Sequence, residues 1–145
     1  MEPTMTSGPR LRALVDTHHE AERLTSYPEL AAQAEHLAAL CQAMGAPLVW
    51  PVGGAAERLL GAAVLMSRGA VRARGWADPL SGERVLVVSV AALSPLEMLE
   101  AADHARALGA QEVHAWGVRV DGLDDPAVEA SFDTHAAADI ALRAA

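Results

Sequence analysis

Two groups of residues have the types and spacing needed to bind an anionic ligand. Gly53 and Gly54 directly follow the apolar segment PLVWPV, and paired glycines let a backbone come close to an anion. Further along the chain stand Arg68, Arg72 and Arg74, whose guanidinium groups make charge-assisted hydrogen bonds to phosphates and carboxylates. The competing interpretation is that the glycines form a tight turn between a strand and a helix, and that the arginines are solvated loop residues.

A third candidate segment is marked by its position. It follows the run Val85–Val88, which is too short for a helix and is typical of a strand buried on both faces. Ligands of parallel-sheet folds bind in the crevice at the carboxyl ends of the strands. The residues expected to line that crevice are therefore Ser89, Ala92, Leu93 and Ser94. They offer two hydroxyl groups and no charge.

A helix with clear end signals is predicted immediately after this segment. Ser94 is the predicted N-cap, Pro95 takes the first helical position, and Glu97 stands three residues after the cap, which is a capping box. Gly109 is the predicted left-handed stop. With the next apolar segment, Val113–Val120, this strand, loop, helix and strand form a βαβ unit.

The remaining segments must position these candidates. The patterns predict three helices, at 10–24, from the Ser26 cap to Met44, and at 55–66. They also predict a strand from Pro47 that ends at Pro51, a short strand near 64–73 and a mobile loop around 76–79. In the first helix Leu11, Leu14 and Val15 are predicted to face inward.

The last segment, 127–145, leaves two alternatives. Val128, Phe132, Ala136 and Ile140 fit one helix, whereas Val128–Phe132 also fits an edge strand that precedes a shorter helix. The order of elements predicts an α/β fold in which a parallel sheet has helices on both faces. We expect a flexible tail at 1–9 and a single domain at 10–145.

Composition restricts the classes of partner. The chain has 145 residues and a net charge of −8, which disfavours nucleic acid because neutralisation of phosphates dominates that affinity. No apolar stretch reaches the roughly 18 residues that span a bilayer, and no hydrophobic leader region opens the sequence. We therefore expect no membrane association and a cytoplasmic location. The single cysteine, Cys41, is interpreted as a small core residue on a helix.

From about Pro28 to Asp121 the layout resembles that of type I phosphoribosyltransferases, most of all the orotate phosphoribosyltransferases. Gly53-Gly54 stand where this family has the paired glycines of its pyrophosphate loop, and Arg68–Gly75 stand where it has a flexible catalytic loop. The strand, loop and helix around residue 90 parallel the motif that binds phosphoribosyl pyrophosphate. The resemblance implies a single-domain, Rossmann-like sandwich of this family's kind and a homodimer.

The letters of that motif are replaced in this chain. Two adjacent acids, which hold the ribose hydroxyls in the family, correspond here to Ser89 and Val90, and the Thr-Thr-Gly loop around the 5′-phosphate corresponds to Ala92-Leu93-Ser94. Pro95 removes a backbone donor, and Glu97 puts a negative charge in the first helical turn. The resemblance, with these losses, implies a protein that has no catalytic residues and no cofactor. Mg²⁺ would be required only by an active transferase.

Three functions follow as hypotheses. The first is a phosphoribosyltransferase-like protein that no longer transfers phosphoribosyl groups and instead binds an anionic small molecule or a protein partner. The second is an active transferase of the orotate or purine type with an atypical site, which recruits groups such as Asp78, Glu83, Asp103 or His104. The third is an unrelated Rossmann-like enzyme or binding module that uses His114 or His135 as acid or base.

Overall fold

The computed structural model describes residues 27–73, 79–92 and 94–137. The predicted tail at 1–9, the predicted helix at 10–24, Arg74, Leu93 and most of the predicted mobile loop lie outside the described residues. The elements are α1 (Tyr27–Ala43), β1 (Leu48–Val52), α2 (Gly54–Met66), β2 (Arg72–Ala73), β3 (Arg84–Val90), α3 (Leu96–Ala107), β4 (Glu112–Val118), α4 (Pro126–Ser131) and β5 (Thr134–Ala137).

The strands form one sheet in the order β2-β1-β3-β4-β5, and every neighbouring pair is parallel. The predicted α/β class and parallel sheet are thereby confirmed. The register aligns the ends of the three central strands, because Val52 pairs with Ser89 and Ser89 pairs with Gly117. No helix in the described ranges is long and apolar enough to cross a membrane.

Helices cover both faces of the sheet, as the order of elements predicts. Successive residues of a strand point to opposite faces, and β3 is buried on both. Its Leu86, Val88 and Val90 belong to the core beneath α1 and α2, whereas Val85 and Val87 belong to the core that α3 and α4 cover. This double burial explains the unbroken apolar run that marks β3 in the sequence.

Two boundaries differ from the predictions. The structure continues β1 to Val52, one residue beyond the predicted end at Pro51. The described part of β2 pairs only with Leu48 and Val49, so β1 has one described neighbour at Pro51 and the missing amide donor costs little there.

The second difference concerns the end of the chain. Val128 lies in a helix, as the first alternative predicts, but that helix ends at Ser131, and the edge strand predicted at Val128–Phe132 is not found. A short helix comes first and a strand follows it, in α4 and β5. The Asp125 carboxylate accepts a hydrogen bond of 2.8 Å from the Ala127 amide, and Pro126 stands at the first helical position. These are the normal signals of a helix N-terminus. The helix ends before Phe132, whose amide donates to Val128.

Candidate functional site

The sheet order creates a crevice between the carboxyl ends of β1 and β3. From β1 the chain passes through α2, on one face, to β2; from β3 it passes through α3, on the other face, to β4. The two connections therefore diverge from neighbouring strands, which is the topological position at which open parallel sheets bind ligands. Gly53-Gly54 and the segment after Ser89 both lie at this edge.

Gly53 has a backbone conformation that only glycine adopts readily. Its φ is 92° and its ψ is 160°, and it is the N-cap of α2 without any side-chain cap. A Cβ placed on either glycine meets no atom within 4 Å, so the space above both residues is open. Gly54 has no positive φ. Of the two positions, the backbone angles therefore require glycine only at 53.

The first turn of α2 presents amide donors to this open space. The first hydrogen bond of the helix runs from the Glu57 amide to the Gly53 carbonyl, at 3.1 Å. The amides of Gly54, Ala55 and Ala56 precede it and have no partner within the helix. They carry the partial positive charge of the helix N-terminus, which favours an anion, while the Glu57 carboxylate in the same turn opposes one.

Ser89 lies at the same edge of the sheet as these amides, but its side chain is on the face that α3 covers, whereas α2 covers the other face. Ser89 pairs with Val52, the residue before Gly53, and neighbouring strands lie about 4.8 Å apart. Ser89 is 3% exposed, and its hydroxyl makes no hydrogen bond to the described part of the chain.

Val90 points away from Ser89. It is 9% exposed and belongs to the core beneath α1 and α2, whereas Ser89 stands in the layer of β3 that faces α3. Consequently, of the two positions that correspond to the family's acids, one carries a neutral hydroxyl and the other is part of the apolar core.

The loop after β3 is tied to the end of β4. Ala91 has a φ of 53°, its amide donates to the Val118 carbonyl at 2.7 Å, and the Asp121 amide donates to the Ala92 carbonyl at 3.1 Å. A Cβ on Gly122 would lie 3.4 Å from Pro95 Cδ, so the two loops also pack closely. The Ala91 amide is thus used within the protein and is not available to wrap a phosphate.

The start of α3 differs from the prediction. The helix begins at Leu96, with Pro95 as its N-cap and no side-chain cap bond, so the predicted capping box of Ser94 and Glu97 does not form. The Ser94 hydroxyl accepts a hydrogen bond from the Leu96 amide at a long 3.4 Å. Ser94 and Glu97 are both exposed, and no hydrogen bond joins them among the residues described. Ser94 stays near the crevice, but only as a weak cap.

Of the predicted arginines, Arg68 and Arg72 lie at the opposite edge of the sheet. Arg72 pairs in register with Leu48, the first residue of β1, and its guanidinium binds both carboxylate oxygens of Glu83 at 3.2 and 3.0 Å. It also donates to the Ala46 carbonyl at 3.0 Å. Arg68 follows the C-terminal end of α2. The structure therefore does not bring Arg68 or Arg72 together with Gly53, and Arg74 lies outside the described residues.

Two backbone features of the crevice carry no signal in the sequence. Ala91 and Arg119, which directly follow β3 and β4, both have left-handed angles, with φ of 53° and 55°. Such angles are uncommon for residues other than glycine and concentrate at functional sites. An alanine and an arginine give no hint of them, whereas Asp121-Gly122 is a recognisable turn.

No group of three or more potential metal ligands occurs in the ranges that the structure describes. Comparisons with family models, with curated proteins and with solved structures find no match for this chain. The fold thus defines a parallel α/β protein with a crevice at the carboxyl edge of its sheet, and the functional assignment depends on the chemistry of that crevice.

Proposed function

We propose that this chain is a phosphoribosyltransferase-like protein that has lost transfer of the phosphoribosyl group and binds a small anionic molecule in the crevice between β1 and β3. The observation that carries the proposal is the pairing of Ser89 with Val52. It places Ser89 beside the residue that precedes Gly53, at the edge of the sheet where the amides of the first turn of α2 are open.

The same geometry argues against transfer. A ribose diol held by two carboxylates needs charged acceptors at the end of β3, where this chain has the Ser89 hydroxyl and the apolar Val90. A 5′-phosphate needs several free backbone amides in the following loop. Here the Ala91 amide is bonded to β4 and Pro95 has none.

A smaller anion needs fewer contacts from the protein. Inorganic phosphate or pyrophosphate needs only the amides of the first turn of α2 and one hydroxyl, with no acceptor for a sugar. The proposal requires no cofactor, and Mg²⁺ would enter only with an active transferase. A cytoplasmic homodimer completes the proposal, by the resemblance of the layout.

Titration calorimetry tests the proposal directly. We expect pyrophosphate to bind without metal, at tens of micromolar to millimolar dissociation constants, and phosphoribosyl pyrophosphate with Mg²⁺ to bind no more tightly than pyrophosphate. Ser89→Ala should weaken pyrophosphate binding about tenfold or more, since one hydrogen bond to a charged group contributes about 1.5 kcal/mol or more. Micromolar binding of phosphoribosyl pyrophosphate with Mg²⁺, or release of pyrophosphate in its presence, would overturn the proposal.

The double substitution Ser89→Asp, Val90→Asp tests the loss of transfer separately. We expect no turnover with phosphoribosyl pyrophosphate and a lower midpoint of thermal unfolding, because residue 90 faces the core and a carboxylate there is buried. Ser89→Asp alone is the matched control, since its side chain stands in the layer that faces α3 and not in the core beneath α1 and α2. Transferase activity in the double variant would contradict the role given to the loop.

A further inference from the structure

Helix α2 exposes a large hydrophobic side chain to solvent. Leu65 is 80% exposed, the highest value among the large hydrophobic residues that the structure describes. It borders an apolar groove of about 460 Å³, whose lining includes Pro51, Leu60 and Val64. A contiguous apolar surface of this kind is typical of a place where another molecule docks.

A glycine lies in the same surface, one turn before this leucine. Gly61 is exposed in the interior of α2, where glycine is the least favourable residue after proline. It has no positive φ, and a Cβ placed on it would meet nothing within 4 Å. Neither backbone angles nor a close neighbour in the described chain therefore requires glycine at this position. A glycine on the surface of a helix does let the backbone of a second helix come close.

We propose that a second copy of the chain docks on the surface formed by Glu57, Gly61, Leu65 and Arg68, with the two α2 helices antiparallel about a twofold axis. Gly61 stands two residues before Ala63, and Leu65 stands two residues after it. An axis at the level of Ala63 therefore sets Leu65 of each copy against Gly61 of the other. Each leucine then fills the open space above a glycine, and the groove beside it is covered.

The charges of α2 favour a second copy over any other partner. Glu57 lies in the first turn, and Arg68 directly follows the C-cap residue Ser67. Glu57 stands six residues before the axis and Arg68 five residues after it, so the carboxylate of each copy meets the guanidinium of the other. Neither residue makes an ion pair within the described ranges. One surface thus carries both halves of a complementary pattern, as an interface between two identical copies requires.

The antiparallel arrangement is also favourable for the two helix dipoles, because it sets the N-terminus of each α2 beside the C-terminus of the other. A single pair of helices buries less than the roughly 1,600 Å² of a standard interface, so we expect a dissociation constant in the micromolar range. The homodimer proposed above from the layout thereby acquires a defined surface. That surface depends on α2 and not on a bound anion.

Sedimentation velocity over a concentration series of the full chain tests the surface. We expect a reversible equilibrium between monomer and dimer, with a dissociation constant that rises about tenfold or more in Gly61→Gln, because glutamine suits a helix but occupies the space that Leu65 of the other copy fills. Leu65→Gln should weaken the dimer likewise. Leu96→Gln is the matched control, since Leu96 is 58% exposed on a different helix, and it should leave the dissociation constant unchanged.

An exchange of charges tests the antiparallel arrangement. Glu57→Arg should weaken the dimer about fivefold or more, because it opposes Arg68 of the other copy at both ends of the helix pair, and the added substitution Arg68→Glu should restore the dissociation constant of the parent. A parent that stays monomeric throughout the series, a dimer that Gly61→Gln does not weaken, or an exchange that restores nothing would each overturn the proposal. Gly61→Gln should bind pyrophosphate as the parent does, so that a failure of the interface and a failure of the anion site are read separately.

Discussion

The sharpest prediction compares Gly53→Ala with Gly54→Ala. Both glycines are exposed, and a Cβ on either one meets nothing within 4 Å, so steric contact does not distinguish the two substitutions. Backbone angles do, because Gly53 has a φ of 92° and a ψ of 160°, a region that residues with a Cβ rarely adopt. Gly54 has no positive φ and already belongs to α2.

The expected free energies follow from these angles. Holding alanine in the conformation of Gly53 costs about 1–3 kcal/mol of unfolding free energy. Alanine at Gly54 reduces the freedom of the unfolded chain, so that variant should range from unchanged to about 1 kcal/mol more stable. With about 4 °C of midpoint per kcal/mol for a chain of this size, Gly53→Ala should melt at least 4 °C below Gly54→Ala.

Urea unfolding followed by circular dichroism measures both variants against the parent protein. The slope m of the unfolding free energy against urea concentration should be unchanged, so that the urea midpoint alone reports stability. Calorimetry on the same samples should show weaker pyrophosphate binding for Gly53→Ala, because relaxation of its backbone moves the α2 amides. Equal midpoints for the two variants would refute the conformational reasoning. Equal pyrophosphate affinities would refute the part of Gly53 in the site.

Three further predictions concern single residues. Gly117→Ala should destabilise the protein by about 1–3 kcal/mol in urea unfolding, because its Cβ would lie 2.9 Å from Leu123 Cδ2 and 3.0 Å from Val120 Cγ2; an unchanged midpoint would refute this clash. Glu57→Gln should raise pyrophosphate affinity by up to about fivefold in calorimetry, since it removes a negative charge from the first turn of α2, and no gain would place the anion elsewhere. Burial raises the pKa of the Cys41 thiol from 9.0 to about 11. The part of the unfolding free energy that depends on this shift is fully present below pH 9 and is lost as the pH rises toward 11. Unfolding midpoints of the parent protein should therefore fall more steeply across this window than those of Cys41→Ala.

Much of the fold is predictable because its signals are local. The run Val85–Val88 is β-branched and buried on both faces, as the sequence indicates. Gly45 and Gly109 have positive φ, of 79° and 95°, just where they follow α1 and α3. Each of these elements is determined by residues within a few positions of one another. Periodicity and end signals therefore suffice to find them.

Strand β5 is different because its pairing with β4, and not its own sequence, determines its structure. The sequence THAA of β5 has little strand character of its own, yet its residues pair with four consecutive residues of β4, from His114 to Gly117. The Asp133 carboxylate also accepts a hydrogen bond of 2.7 Å from the Val113 amide, just before this pairing begins. Strand formation here depends on a neighbour distant in sequence, which a local pattern does not show.

The candidate site is predictable only in part, for a topological reason. The sequence places Gly53 and Ser89 together because each stands at the carboxyl end of a strand. The arginines of positions 68 and 72 follow a helix, and a helix that returns from the carboxyl edge ends at the amino edge. Arg72 therefore hydrogen-bonds to the Glu83 carboxylate and the Ala46 carbonyl at the amino edge of the sheet. Closeness in sequence to Gly53 is a poor guide once a whole helix intervenes.

The alternation of β3 decides what this edge can bind. Because β3 remains a regular strand through Val90, that side chain must face the core beneath α1 and α2, and an apolar residue is what the fold favours there. Ala91 then leaves the strand through a left-handed turn that commits its amide to β4. The side chain at position 90 and the Ala91 amide, which are the groups that a ribose phosphate would need, are thus used within the fold. The α2 amides and the Ser89 hydroxyl remain, and for this reason the ligand that we propose for this edge is an anion that binds through hydrogen-bond donors alone.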